Sequence, residues 1–293
     1  MITYENLFQE AITRRYVAAM FDVDGTLTQM GSGDIPKPLL EHIGQLSMQV
    51  PLAICTGRRF KGILDKLQLF IDEAPDEMVA RKNWYLFIEN GAIGIRYNSE
   101  TQEYERFYQI DWPEEHITMQ STLETILPLV EAVHPVETRL NECNIGIYPL
   151  NQNGYTKKEL AEITSDMSTV IRDSLNTIPE GERLQVVDSG IATHVIDIRA
   201  DKDRGIREFG NILRNRGIKL TEQDREILII GDQPGEGCND AKFLEGKWGT
   251  PFTAEHLFEG REYPIPIFEN GEILKGPTAT MSLLKQIQFD EIG

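Results

Sequence analysis

The sequence is poor in cysteine, with only Cys55, Cys143 and Cys238 among its 293 residues. An odd and widely scattered set argues against a disulfide framework, and its spacing offers no zinc site. No segment approaches the length of a membrane span, and the first residues, MITYENLFQEAITRR, hold no apolar signal core. Positive charge is also scarce: 29 Lys and Arg against 47 Asp and Glu give a formal net charge of −18. Nucleic acid and anionic membrane both require a basic surface, so neither is expected as a partner. Internal repeats and low-complexity segments are absent. These absences leave a cytoplasmic enzyme acting on a small molecule, of open oligomeric state. An anionic substrate has to be drawn to a local cluster of Lys, Arg, backbone N–H groups and metal, against the global field.

The chain is 40% hydrophobic and long enough for two domains with proper cores. It is organised around a mainly apolar run, Tyr16 to Phe21, that stops on Asp22-Val23-Asp24-Gly25-Thr26. Such a run reads as a buried strand of a parallel sheet. In extended chain Asp22 and Asp24 point to one side while Val23 packs away. Carboxylates that close need a cation, and a hard one such as Mg2+ takes oxygen ligands. An isolated D-x-D-G is equally a strand cap and turn. The stretch DVDGTLT resembles motif one of the haloacid dehalogenase superfamily of aspartate-nucleophile phosphohydrolases and phosphomutases.

Three further strand ends continue the resemblance. Val50–Cys55 stops on Thr56-Gly57-Arg58 before a helix, Phe60–Leu69, whose free N–H groups and Thr hydroxyl suit an anion; Thr56 as a plain N-cap is the competing reading. Placed after DVDGT, TGR resembles motif two, which implies that Thr56 holds the phosphoryl group with Gly57 and Arg58 beside it. In the loop before a later helix, Lys202 resembles motif three, with Arg204 as rival. Glu226–Ile230 ends on Gly231-Asp232, and Asp240 follows eight residues on; this longer motif four resembles that of eukaryotic-type phosphomannomutases. Cys238 within it is read as a small packed residue. In an open parallel sheet such strand ends gather along the carboxyl edge, where ligands bind.

A third strand, Trp84–Glu89, ends on Glu89-Asn90-Gly91, which resembles the superfamily members that carry an α/β cap between motifs two and three, although Asn-Gly is also an ordinary turn signal. Asn90 is given a positioning role. The expected architecture is α/β: a Rossmann-like parallel-sheet core in two parts, residues 1–94 and 191–293, with an inserted α+β cap over 95–190. The cap is to contain a hairpin of Gly94–Tyr97 and Glu105–Tyr108, helices at Glu115–Val133 and Lys157–Leu175, and strands at Asn144–Leu150 and Arg183–Val187. Gly190–Arg199 is to return the chain to the core. VETRLNECNIGIYPL resembles the substrate-facing strand pair of phosphomannomutases, which implies that Arg139 and Asn144 reach a sugar phosphate; a solvated surface Arg is the alternative. Ser189, in Asp188-Ser189-Gly190, resembles part of a sugar-contacting turn.

The resemblance implies that Asp22 attacks phosphorus, that Asp24 is general acid and base, and that Thr56 and Lys202 hold phosphoryl oxygens. It implies Mg2+ as cofactor, held by Asp22, the Asp24 carbonyl, Asp232 and Asp240. The expectation is a Mg2+-dependent phosphatase of a phosphorylated sugar or related polar phosphomonoester. A hexose phosphomutase is the alternative. It needs several cap cations for a second phosphate, and the cap offers Arg139, Lys157 and Lys158; the strand pair instead ends Pro149-Leu150-Asn151-Gln152, and the flap Gln29-Met30-Gly31-Ser32 carries no basic residue. A non-catalytic sugar-phosphate binding protein is a distant third, because Asp22, Asp24 and Lys202 are all retained.

Overall fold

The alternation within each apolar run builds two hydrophobic layers on a single sheet. In the computed structural model, which describes residues 3–29, 33–113, 118–255 and 261–290 (of Lys157 only the backbone), Ala19 and Phe21 of the first strand face one cluster, and Ala18 and Met20 face another. Side chains two apart share a face, so a run apolar at every position is buried on both. The first cluster is covered by helices Tyr4–Ile12, Lys37–Leu46, Phe60–Asp72 and Gly276–Gln286, the second chiefly by Lys202–Asn215.

The core sheet runs, edge to edge, Ile265–Pro266, Thr250–Thr253, Ile227–Gly231, Ala18–Phe21, Leu52–Cys55, Trp84–Ile88, Ile93–Asn98 and Glu103–Gln109. The first six are parallel and the last two antiparallel. The Leu52, Trp84 and Ile227 strands fall where the sequence places them.

Two segments change partners relative to the sequence expectation. The hairpin expected to open the cap instead extends the core sheet, with Ile93 paired to Ile88. Glu89, Asn90 and Gly91 all have positive φ, at 51°, 59° and 82°, and this tight reversal sends the chain straight back along the strand it has left. Strand Thr193–Asp197, expected to rejoin the core, lies inside the cap sheet, whose order is Val136–Leu140, Asn144–Pro149, Thr193–Asp197, Leu184–Asp188. All its pairings are antiparallel. Helices Met119–Glu131 and Lys157–Leu175 back this sheet, and Ile126, Val130, Ile145, Ile147, Met167, Ile171 and Val195 form its own core. The N-terminal residues of the helix expected from Glu115, and Met30 to Ser32 of the flap, lie outside the described residues.

Phe87 joins the core strand to the elements on either side of it. Its buried ring lies 5.8 Å from Phe107, 6.1 Å from Tyr108 and 6.1 Å from Phe209. Phe87→Ala is expected to destabilise the protein by about 3–5 kcal/mol in denaturant unfolding. Ile198→Ala, at a 48% exposed position, is expected to stay within about 0.5 kcal/mol of the parent.

Candidate active site

Parallel register brings the motif residues to one edge. Phe21 pairs with Ile54 on one side and Ile230 on the other, so Asp22, Thr56 and Asp232 leave adjacent strands at the same end. Lys202 arrives from the opposite layer as the first residue of its helix, which Asp201 caps by accepting the Lys202 N–H at 2.7 Å. The Lys202 side chain is fully buried, and its Nζ donates to Asp22 Oδ1 at 2.6 Å and Asp240 Oδ1 at 2.5 Å. Arg204 faces elsewhere and pairs with Glu208 at 2.5 Å.

Asp240 serves two neighbours at once. Its second oxygen accepts the backbone N–H groups of Asp232 at 3.0 Å and Gln233 at 3.3 Å, which fixes the loop carrying Asp232. Asp22, Asp232 and Asp240 are all buried and offer carboxylate oxygens within 4.8 Å of one another. Gly25, at φ +84°, is what lets Asp232 approach, because a Cβ there would collide with the Asp232 carboxylate. Burial drives the Asp22 pKa up to about 7, with Lys202 pulling the other way and Asp240 adding to the rise. Burial likewise raises Asp232. Burial works against the Lys202 ammonium, yet Asp22 and Asp240 hold its pKa above the ordinary value.

The side chain of Asp24 stands outside this cluster. Arg58 grips it in bidentate fashion, Nε at 3.0 Å and Nη2 at 2.7 Å, and leaves only the Asp24 carbonyl for the metal role the resemblance gives it. Thr56 is buried, and its Oγ1 accepts the Arg58 N–H at 3.3 Å, so the hydroxyl proton stays free to donate.

Between core and cap lies a cavity of about 750 Å3 lined by Asp22, Asp24, Thr56, Gly57, Arg58 and Asp232 from the core. Arg139 and Ser189 line it from the cap side. Arg139 is already engaged there, paired with Glu137 at 2.6 Å and lying 4.4 Å over the Tyr148 ring. The Ser189 hydroxyl is spent within its turn, donating to the Ala192 carbonyl at 2.9 Å.

Two expected residues do not reach the cavity. Asn144 is buried against Glu89, to whose carboxylate its Nδ2 donates at 3.4 Å. The reason lies in Glu89: a buried carboxylate needs donors, and it also collects the N–H groups of Cys143 at 2.7 Å and Glu142 at 3.3 Å. Asn90 lies beneath Gly57, its amide buried and unpartnered among the described residues. The cap wall holds residues that the sequence did not single out: Asn141, Tyr148 and His194, with Gln233 from the core. The signal was strand pairing, since Arg139, Gly146 and His194 form one row across the cap sheet. That row becomes visible only once Thr193–Asp197 is known to belong to the cap. Cys238 is half-buried, and burial pushes its thiol up to about 11, away from thiolate chemistry.

No family model and no curated protein matches the sequence. Solved structures do. The N-terminally truncated, IMP-bound IMP-nucleotidase of Plasmodium falciparum superposes with a TM-score of 0.59 at 17% identity, covering 97% of this chain and 72% of that one. An IMP-bound mutant of the same enzyme gives 0.61 at 17% identity, covering 97% of this chain and 69% of that one. A Thermotoga maritima protein gives 0.56 at 15% identity, covering 95% of this chain and 100% of that one. At these identities the likeness is one of fold: the chain shares its α/β architecture with these structures.

Proposed function

We propose that the protein is a Mg2+-dependent phosphatase that hydrolyses a phosphorylated sugar or related polar phosphomonoester through an aspartyl-phosphate intermediate. The observation that carries this reading is the Lys202 ammonium bridging Asp22 and Asp240 at the floor of the cavity, with Asp232 alongside. Three buried carboxylates against one ammonium leave a deficit of positive charge. Their oxygen-only donor set suits a hard divalent cation, so the residues present fit Mg2+. Asp22, Asp232 and the Asp24 carbonyl would hold it, with Asp240 beside them. A bound Mg2+ supplies positive charge that offsets the phosphoryl oxygens.

The chain's own groups divide the remaining work. Asp22 attacks phosphorus, forming the aspartyl phosphate as the bond from phosphorus to the leaving oxygen breaks. Asp24 gives its proton to that oxygen and then takes one from the water that hydrolyses the intermediate, which frees phosphate and restores Asp22. Arg58, in contact with Asp24, orients its carboxylate. Thr56 donates its free hydroxyl proton to a phosphoryl oxygen, and Lys202 neutralises Asp22. The cap keeps bulk water from the reacting centre.

The Plasmodium neighbours hold IMP, so a nucleoside monophosphate is the natural competitor on the same substrate panel. Among the described residues, the cap gives the mutase alternative no support. Lys158 lines a separate surface groove and lies 3.8 Å from Glu162, and Arg139 is committed to Glu137.

The test is phosphate release with Mg2+ across hexose, pentose, polyol and nucleoside monophosphates. Release is expected from the wild type and is expected to fall at least ~10³-fold in Asp22→Asn, the scale of losing a nucleophile. Interconversion of hexose 1- and 6-phosphates without net release would establish the mutase instead, and retained release in Asp22→Asn would remove Asp22 from the chemistry. Metal binding has its own readout. Millimolar Mg2+ is expected to raise the melting temperature of the wild type, because a ligand of the native state alone stabilises it. Lys202→Met strands two buried carboxylates, so a loss of about 3–5 kcal/mol is expected without metal, with partial recovery on adding Mg2+.

A further inference from the structure

The upper wall of the cavity carries polar atoms that no described residue satisfies. Among the described residues, Asn141 Oδ1, His194 Nδ1, Gln233 Oε1 and Asn239 Oδ1 are buried and without a hydrogen-bond partner, and all four residues line the cavity. A buried polar atom left unpaired costs stability, and a ligand that pairs it recovers that cost on binding.

The surrounding contacts fix what these atoms ask for. Gln233 Nε2 is held by the Ser189 carbonyl at 2.7 Å, so its oxygen is the end left over. Asn141 Nδ2 is held by Asn144 Oδ1 at 2.5 Å, which likewise leaves the oxygen. Both amides are thereby oriented as acceptors. His194 is only 5% exposed, and burial together with the Lys202 charge lowers its pKa to about 4. At neutral pH it is an uncharged imidazole, with one nitrogen to accept and one to donate. It packs edge-on against Tyr148, ring centroids 6.0 Å apart at 84°, while Arg139 lies over that tyrosine ring. One face of Tyr148 is therefore already taken.

Charge on this wall is balanced. Arg139 pairs with Glu137 at 2.6 Å and Arg106 with Glu142 at 2.7 Å, while Arg59 and Lys61 sit on the exposed rim. Neutral acceptors close to the phosphoryl site match hydroxyl donors better than a second phosphate or a carboxylate.

We infer that His194 and Gln233, with Asn141, read the hydroxyl groups of the leaving group and are the specificity-determining residues for a polyhydroxylated monophosphate. This rests on the phosphatase reading above and adds to it the side chains that select the substrate. Asn144, which the phosphomannomutase-like pattern put forward, donates to Glu89 and acts on the cavity by orienting Asn141.

The experiment measures kcat/KM of the full chain with Mg2+ for glucose 6-phosphate, mannose 6-phosphate, sorbitol 6-phosphate, 2-deoxyglucose 6-phosphate, p-nitrophenyl phosphate and IMP. At least one fully hydroxylated substrate is expected to exceed both IMP and p-nitrophenyl phosphate about tenfold or more. In His194→Phe, which keeps a ring against Tyr148, and in the half-exposed Gln233→Leu, the ratio of that kcat/KM to the p-nitrophenyl phosphate value is expected to fall about tenfold, the scale of one hydrogen bond, mainly through KM. His194→Gln is expected to recover part of it. Equal losses on every substrate, or a preference for IMP that the variants leave intact, would overturn the inference while continued p-nitrophenyl phosphate turnover kept the phosphatase reading. No release from any phosphomonoester would overturn both.

Discussion

One ammonium group sets the geometry of the floor of the cavity. Lys202 Nζ touches Asp22 and Asp240 at once, and Asp240 in turn holds the N–H groups of Asp232 and Gln233. Two strand ends, the loop that carries Asp240 and one helix start are thus tied through a single buried charge. The arrangement carries its own tension, since taking an ammonium and three carboxylates out of water is costly unless each finds partners. A pair of opposite charges would be enough for structure. The two further carboxylates are what the proposed Mg2+ would balance.

The same rule of satisfied burial joins core to cap. Glu89 closes the turn after its strand and collects N–H groups from Glu142 and Cys143 of the cap hairpin. On the other side, Asp188 donates its N–H to the Gly237 carbonyl at 3.0 Å and accepts the Asn239 N–H at 2.7 Å. The loop that carries Asp232 and Asp240 is therefore paired directly with a cap strand end. The second link is backbone to backbone and depends on loop path more than on side-chain identity, whereas the first needs the Glu89 carboxylate. They also place the cap wall at a fixed height over Asp22.

This dependence explains what the sequence made legible. Asp22, Thr56 and Asp232 were readable because each follows an unbroken apolar run, and such a run in a parallel sheet has one destination for its end. Lys202 was harder, since it reaches the site by side-chain length from a helix start, and Arg204 competed until its pairing with Glu208 was seen. The cap was legible as a layer but not in its edges. Ile93–Asn98 and Thr193–Asp197 carry strand character without any mark of which sheet they join, and three left-handed residues decide the first case. Misplacing the second hid His194. The Asn144 assignment failed for a related reason: a strand pattern gives the face of a residue, but Glu89, more than fifty positions away, takes Asn144 for itself.

The charge balance gives the last step. In the proposed reaction a protein of net charge −18 takes a dianionic phosphate and has to supply positive potential locally. Yet its two cations nearest the reacting centre are spoken for at rest, Lys202 by Asp22 and Asp240, Arg58 by Asp24. What the chain adds is the exposed rim pair Arg59 and Lys61, screened by solvent, and the start of the helix Phe60–Asp72, which brings the positive end of its dipole to the cavity. Half an elementary charge and two screened rim cations are a weak match for a buried dianion. In the proposed reaction the shortfall would fall to a cation held by Asp22, Asp232 and Asp240, so phosphate affinity and metal affinity would be linked, each raising the other.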